Sequence, residues 1–382
     1  MPYPDDYPIP PGVHAIPHHL LDLRPDSEID AAILNPPPVT SPKNIWFYWN
    51  TGYATMHPYA QRTVRAWHRR LSKHGWTIRV LDRSVPSSPS HISAFVPLTP
   101  SNFPTAFLNG TLTGPYAQQH YSDLVRWPLL LAHGGVYADV GLMLIGDLDR
   151  LWSSTIADPS SPFTTLSFNA GPSGLTNYFL AALPLNPFFA RCHTLFLRLW
   201  AENGGRDSTL GMRDSPLLAG LPPWDGAFSP DVKARLEDYI AQGRVMQHVM
   251  QSVDAGDDAW DGPAYVRTHV YAPDYTEHSQ LINEFTSWSG PRAYALLSLR
   301  LPGADEEEDE DHAHARTIVE SCLSRSFAFK LAHGLIVSVL GETLGSLWRD
   351  NEGSDVGEGT YAAWLRHGMV FWTQDGIPTR MV

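Results

Sequence analysis

Two cysteines, Cys192 and Cys322, are all the thiols in this sequence of 382 residues. So few exclude a disulfide framework and any four-cysteine metal site, and suit buried thiols in a reducing compartment. Long apolar runs are missing as well. A membrane-spanning helix needs about 18 consecutive apolar residues, and the best stretch, Leu331 to Leu347, is broken by His333 and Glu342. The opening segment from Met1 to Gly12 is proline-rich, carries Asp5 and Asp6 and has no apolar centre, so it does not read as a secretion signal. Positive charge is thin and scattered. Lys and Arg number 27 against 40 Asp and Glu, a formal net charge of -13. Without a dense basic patch, neither nucleic acid nor an anionic membrane is expected as a partner. The expectation is a cytoplasmic protein with no membrane span.

Core-forming material is plentiful. With 43% hydrophobic and 18% charged residues, the chain can bury a substantial interior, which excludes wholesale disorder. Residues 1–42, with Pro36-Pro37-Pro38, read as a proline-rich arm that cannot form a continuous helix or an inner strand. Asn44-Ile45-Trp46-Phe47-Tyr48-Trp49 is an apolar run of strand length, closed by Asn50-Thr51-Gly52. Helical spacing follows from Pro58 to His74, with Val64, Trp67 and Leu71 on one face, and Trp76 to Leu81 reads as a second strand. This strand, helix, strand order is the alternation of a mostly parallel sheet.

Further along, a helix is expected from Pro115 to His133, with Pro128 inside it, then the strand Val136 to Val140. Helices are also expected at Thr176 to Ala182, Asn186 to Glu202 and Asp231 to Met250, with a long loop from Pro216 to Pro230. The acids from Asp305 to Asp311, adjoined by His312 and His314, read as a solvated mobile loop at 303–312. The fold class expected is α/β: a mostly parallel central sheet flanked by helices, with additional helical insertions. One domain spans 43–350, and 351–382 form a C-terminal extension packed on it.

The stretch with chemical content runs from Tyr121 through Ser122-Asp123-Leu124-Val125-Arg126 to Gly134-Gly135-Val136-Tyr137-Ala138-Asp139. Asp123 and Arg126 are three apart and share a helix face. A carboxylate that accepts and a guanidinium that donates suit neighbouring hydroxyls of a polyol. The two glycines permit positive φ, so the helix can turn straight into a buried strand. That strand delivers Asp139 at its carboxyl end, where open α/β sheets bind ligands. From spacing alone, the favoured reading of these residues is a surface salt bridge followed by an ordinary helix–strand turn.

From Ser122 to Asp139 the chain resembles, without a gap, the donor-site core of the DXD-motif sugar-binding glycosyltransferases of GT-A type. It is also similar to the capsular polysaccharide synthesis proteins and the glucosylating clostridial toxins. Ile45-Trp46-Phe47-Tyr48-Trp49 with Gly52 resembles the opening strand of the capsular group, and Gly345-Ser346-Leu347-Trp348 the late S-x-W motif. Asn177 to Ala182 with Asn186-Pro187 fits that group too.

The resemblance implies a nucleotide-sugar donor and transfer with retention, and the missing membrane anchor suggests a soluble acceptor, a small metabolite or glycan. The resemblance also implies roles. Tyr48 and Trp49 would border the base, Asp123 and Arg126 would hold sugar hydroxyls, and Ser346 and Trp348 would lie over the diphosphate. Asp139 would act in catalysis, contact ribose or sugar, and help place Mn²⁺ or Mg²⁺. The second acid is Gly141 here, since the motif reads Asp139-Val140-Gly141, so metal is an open expectation. Asp147-Leu148-Asp149 reads as polar loop.

Asp238 would serve as an acceptor-side base or simply face solvent from its helix. His333 would be a donor-site residue or a core histidine. A second hypothesis keeps the fold and replaces transfer by cyclisation or rearrangement of an apolar metabolite.

Overall fold

The computed structural model describes residues 7–223, 228–254, 259–303, 306–332 and 334–381. His333 and Asp305 lie outside the described residues. Ten strands occur in the described chain: β1 (Val13–Ala15), β2 (Asn44–Tyr48), β3 (Thr77–Leu81), β4 (Gly135–Ala138), β5 (Leu142–Leu144), β6 (Thr165–Leu166), β7 (Phe179–Ala182), β8 (Val270–Tyr271), β9 (Ala328–Lys330) and β10 (Trp372–Gln374). Six of them form the central sheet, in the order β3-β2-β4-β7-β6-β8.

The β2/β3, β2/β4 and β6/β8 pairs are parallel, whereas β7 runs antiparallel to both β4 and β6. One reversed strand therefore sits inside an otherwise parallel sheet. All five residues of β2 are buried, and its alternate side chains divide between two cores. Ile45 and Phe47 join one apolar cluster, while Trp46 and Tyr48 join the other. A sheet covered on both faces by helices needs such continuous apolar strands.

The helix Pro58–Leu71 returns the chain between β2 and β3, and proline at its first position suits a helix start. The helix Ala117–His133 holds Pro128 within it and ends at Gly134. Gly134 and Gly135 both have positive φ. A Cβ on Gly135 would lie 2.4 Å from the Asn44 carbonyl oxygen, so only glycine lets β4 begin this close to β2.

The helix expected at Thr176 to Ala182 is a correction. Phe179–Ala182 is strand β7, fully buried between β4 and β6. Leu180, Ala181 and Ala182 are good helix formers, but pairing on both edges outweighs a few tenths of a kcal/mol of local propensity. The helix expected from Asp231 to Met250 is two helices, Pro230–Tyr239 and Ala241–Gln251.

At the ends of the chain, β1 pairs antiparallel with β10, and Trp364 Nε1 donates to the Pro8 carbonyl at 2.9 Å. Asp355 is wholly buried between Arg62 and Arg366. In the acidic tract, Asp309 caps the helix Glu310–Arg325 by accepting the His312 N–H. Among the described residues no helix is long and apolar enough to cross a membrane.

Packing also sets a pH response. His193 lies on the buried face of the helix Pro187–Ala201, and among the described residues its Nε2 has no hydrogen-bond partner. Burial drives its pKa down to about 4. An unfolded histidine titrates near pH 6.5, so on acidification the unfolded chain takes up the proton first. This stability is complete above about pH 6.5 and is lost as pH falls through the folded pKa. Urea midpoints are expected to fall between pH 6.5 and 4, with His193 contributing on the order of 2 kcal/mol. Burial lowers His68, His248 and His278 as well. The His193→Gln variant isolates the share of His193, and an unchanged slope in that variant would refute the assignment.

Candidate functional site

The helix Ala117–His133 lies against the sheet with His120, Asp123 and Arg126 successive at three-residue spacing, all three buried. Immediately beyond β4, Asp139 continues the ladder by donating its N–H to the Tyr178 carbonyl at 3.0 Å. A tight turn follows, in which the Leu142 N–H donates to the Asp139 carbonyl at 2.8 Å. Helix and turn meet at Arg126. Its Nη2 stands 3.0 Å from Asp123 Oδ1 and 3.0 Å from Asp139 Oδ1. Nη1 donates to the Asn177 carbonyl at 2.6 Å and to Gln242 Oε1 at 3.0 Å. Beneath it lies the Tyr137 ring, 4.9 Å from the guanidinium carbon.

The cluster is built in two tiers. In the inner tier, Gln242 Nε2 donates to the Asp123 carbonyl at 2.6 Å, and Asn177 Nδ2 reaches Asp123 Oδ1 at 3.3 Å. His120 bridges Asp123 Oδ2 and Thr209 Oγ1, at 3.1 Å each. The outer tier is Asp139 and Lys330, whose Nζ stands 3.1 Å from Asp139 Oδ2. Side-chain exposure is 5% for Arg126 and 9% for Asp123, but 23% for Asp139 and 14% for Lys330.

Burial by itself disfavours the charged guanidinium of Arg126, but Asp139 and Asp123 more than offset this and push its pKa above the ordinary arginine value. The group stays charged throughout the accessible pH range. Burial pushes the Tyr137 hydroxyl up to about 12, with Arg126 opposing. Tyr239 also rises through burial, with Asp123 and Asp139 adding to the effect. Both phenols are therefore neutral hydrogen-bonding groups near neutral pH. Two carboxylates, two cations, two amides and these phenols form a polar surface that matches hydroxyls and an anion, at the carboxyl end of a sheet strand.

The residues expected from the sequence fall in different places. Asp123, Arg126 and Asp139 come together. Tyr48, at the end of β2, neighbours Arg83, Tyr137 and Tyr121, and its hydroxyl donates to Asn50 Oδ1 at 2.9 Å. Trp49 is partly buried, with its ring edge-on to His57 at 5.8 Å. Ser346 closes a capping box with Thr343 at the start of the helix Leu344–Asp350. Trp348 is a core residue, 1% exposed, with the Arg366 guanidinium 5.1 Å from its ring.

Asp238 is buried and turned to the loop before it, accepting the N–H groups of Gly211 and Arg213 and pairing with the Arg213 side chain. Asp147 caps the helix Leu148–Ser154, and Asp149 pairs with Lys43 at 2.6 Å. Sequence reasoning missed Lys330, Gln242, His120 and Tyr239 as members of the cluster. Asn177 stood within a block quoted for resemblance, and His333, weighed for the donor site, is three residues from Lys330, but Lys330 itself was not singled out.

A covered α/β sheet with one reversed strand, presenting this cluster beyond β4, has the architecture of GT-A-like glycosyltransferases. Residues 24–207 match the family described as capsular polysaccharide synthesis protein. The O-glycosyltransferase braB of Annulohypoxylon truncatum is 34% identical over 390 residues, covering 98% of this chain and 90% of that protein. The glycosyltransferase afumC of Aspergillus fumigatus is 35% identical over 365 residues, 92% of this chain and 91% of that protein. The probable glycosyltransferase FCK3 of Fusarium pseudograminearum is 34% identical over 366 residues, 93% and 89% of the two chains. The chain belongs to this family of glycosyltransferases. No solved structure matches it.

Proposed function

We propose that the protein transfers a sugar from a nucleotide-sugar donor to a hydroxyl of a soluble acceptor, a small metabolite or a glycan, with retention of configuration. The observation that carries this reading is the Asp123–Arg126–Asp139 cluster with Lys330 at its mouth. In it Asp123 and Arg126 hold hydroxyls of the donor sugar, Asp139 contacts the sugar or ribose, and Tyr48 and Trp49 border the base. Four fixed charges favour a hydroxylated, anionic ligand over an apolar one. Hydroxyl transfer is supported by two relatives, from Annulohypoxylon truncatum and Phomopsis amygdali, that are named O-glycosyltransferases.

The pairing of the cluster's carboxylates supports retention. Among the described residues, the cluster's two carboxylates both face cations, so each is already engaged where an acceptor hydroxyl would need a base. The departing phosphate is then the natural recipient of that proton. Asp238, held by Arg213 and two backbone N–H groups, is not assigned the role of base.

Hydrolysis of a panel of nucleotide sugars, and transfer to small hydroxylated acceptors, test the reading. One donor is expected to turn over, and NMR of the product is expected to show the donor's anomeric configuration. An enzyme that neither binds nor cleaves any nucleotide sugar would refute it, and an inverted product would refute retention.

A further inference from the structure

The turn after β4 reads Asp139-Val140-Gly141, and a second carboxylate is absent where the resemblance places a metal ligand. Among the described residues no group of three or more His, Cys, Asp or Glu side chains converges to hold a metal. Another chain segment stands beside the turn instead. Strand β9 runs antiparallel to β5 with Lys330 opposite Leu142, and the Leu331 N–H donates to the Gly141 carbonyl at 2.9 Å. This register carries Lys330 alongside the turn, with its Nζ 3.1 Å from Asp139 Oδ2. Asp139 Oδ1 faces Arg126 Nη2 at 3.0 Å. A divalent cation at a diphosphate takes one or two carboxylates together with phosphate and water oxygens, but here the one carboxylate of the turn, Asp139, has both oxygens facing fixed cations, Arg126 and Lys330, and Asp123 is turned to Arg126.

We infer that Lys330 is itself the cation of the donor site. Anchored on Asp139, its ammonium contacts the diphosphate of the nucleotide sugar, so donor binding and transfer proceed without a divalent metal. The inference rests on the donor reading above. Asp123 and Asp139 balance Arg126 and Lys330, so an incoming diphosphate meets no net negative charge.

Lys330 and Asp139 are also the more exposed pair, so the ammonium is met before the buried guanidinium. An ammonium has three N–H donors. Among the described residues, Asp139 Oδ2 and the Leu331 carbonyl, each at 3.1 Å, take two of them, which leaves the third for a phosphate oxygen. The Tyr178 ring, 5.8 Å from Nζ, steadies the ammonium, and its own hydroxyl is held by Ser279 at 2.6 Å.

In the transfer step the bond from the anomeric carbon to the phosphate oxygen breaks, and its electron pair leaves on that oxygen. The acceptor oxygen bonds to the anomeric carbon, and the acceptor's proton passes to the departing diphosphate. Lys330 keeps its own proton and stabilises the charge that develops on the leaving group.

The test is calorimetric titration of the full chain with UDP, GDP and ADP, in EDTA and in Mn²⁺, with donor turnover measured in parallel. Wild-type affinity and turnover are expected to agree within about threefold between the two buffers. Lys330→Met is expected to bind the diphosphate and turn over about 100-fold less well, and Lys330→Arg to stay within about tenfold of wild type.

Wild-type binding or turnover that disappears in EDTA and returns with Mn²⁺ would overturn the inference while leaving glycosyl transfer standing. Undiminished affinity in a folded Lys330→Met variant would overturn it as well. Binding of no nucleotide in either buffer would bring down both readings. The comparison of buffers needs no variant and decides whether a divalent metal is required; if Lys330→Met fails to fold, Lys330→Gln reads the share of the ammonium, and undiminished affinity in it would overturn the inference.

Discussion

Replacing Arg126 with leucine is expected to cost on the order of 3–5 kcal/mol of stability, and to abolish donor binding in whatever fraction still folds. The side chain is 5% exposed and faces Asp123 and Asp139 at 3.0 Å each. Removing it leaves Asp123, itself 9% exposed, with His120 as the nearest ionisable partner. It also takes the Nη1 donor from the Asn177 carbonyl at 2.6 Å and from Gln242 Oε1 at 3.0 Å, leaving the latter only Asn177 Nδ2 at 3.1 Å. An uncompensated buried charge costs far more than the lost attraction, because water cannot return to solvate it.

Lysine in the same place keeps the charge but not the planar fork, and cannot reach the two sides of the cluster at once. Arg126→Lys is therefore expected to fold, with an intermediate loss of stability and weakened donor affinity. Urea unfolding followed by fluorescence measures both variants. A loss below about 1 kcal/mol for Arg126→Leu would mean that the cluster is not the electrostatic centre described here.

Asp139→Asn is the opposite case, with a small expected effect on folding and a large one on chemistry. The side chain is 23% exposed, so an isosteric amide loses charge without opening a cavity, at a cost of about 1 kcal/mol. What it loses is the anchor. Both Arg126 and Lys330 are aimed by this carboxylate, at 3.0 and 3.1 Å. An amide presents at most one oxygen to two cations and turns an N–H₂ toward the other. If Asp139 positions the cations that receive the diphosphate, turnover should fall about 100- to 1,000-fold, with the melting temperature only a few degrees lower. Parallel thermal melts and donor-hydrolysis rates separate the two effects. Turnover within tenfold of wild type would remove Asp139 from the reaction.

Several pieces of the molecule were legible from short windows. The run from Asn44 to Trp49, the helix after it and the strand ending at Leu81 follow from periodicity, because burial imposes a period of 2 on strands and 3.6 on helices. Asp123 and Arg126 share a face because three residues nearly complete a helical turn. Gly134-Gly135 marks the turn into β4 because positive φ excludes most other residues.

The reversed strand β7 was not legible. Leu180-Ala181-Ala182 carries no alternation, and its character as a strand comes from hydrogen bonding to β4 on one edge and β6 on the other. Nor did Ser346 and Trp348 announce their places. One closes a capping box and the other fills the core against Arg366, and a tryptophan in a motif reads the same in either setting.

The central stretch itself divides along this line. The sequence alone determined that Asp123, Arg126 and Asp139 belong to one helix–turn–strand unit, since helix geometry and a glycine turn are properties of neighbouring residues. Tertiary structure decided what surrounds them. Asn177, Gln242 and Lys330 come from three distant segments, and Lys330 arrives only because β9 pairs with β5 in one register. A slip of one residue in that pairing would turn the ammonium to the other face. The charge balance around Asp139, and with it the choice between a metal ion and a lysine, depends on that long-range pairing.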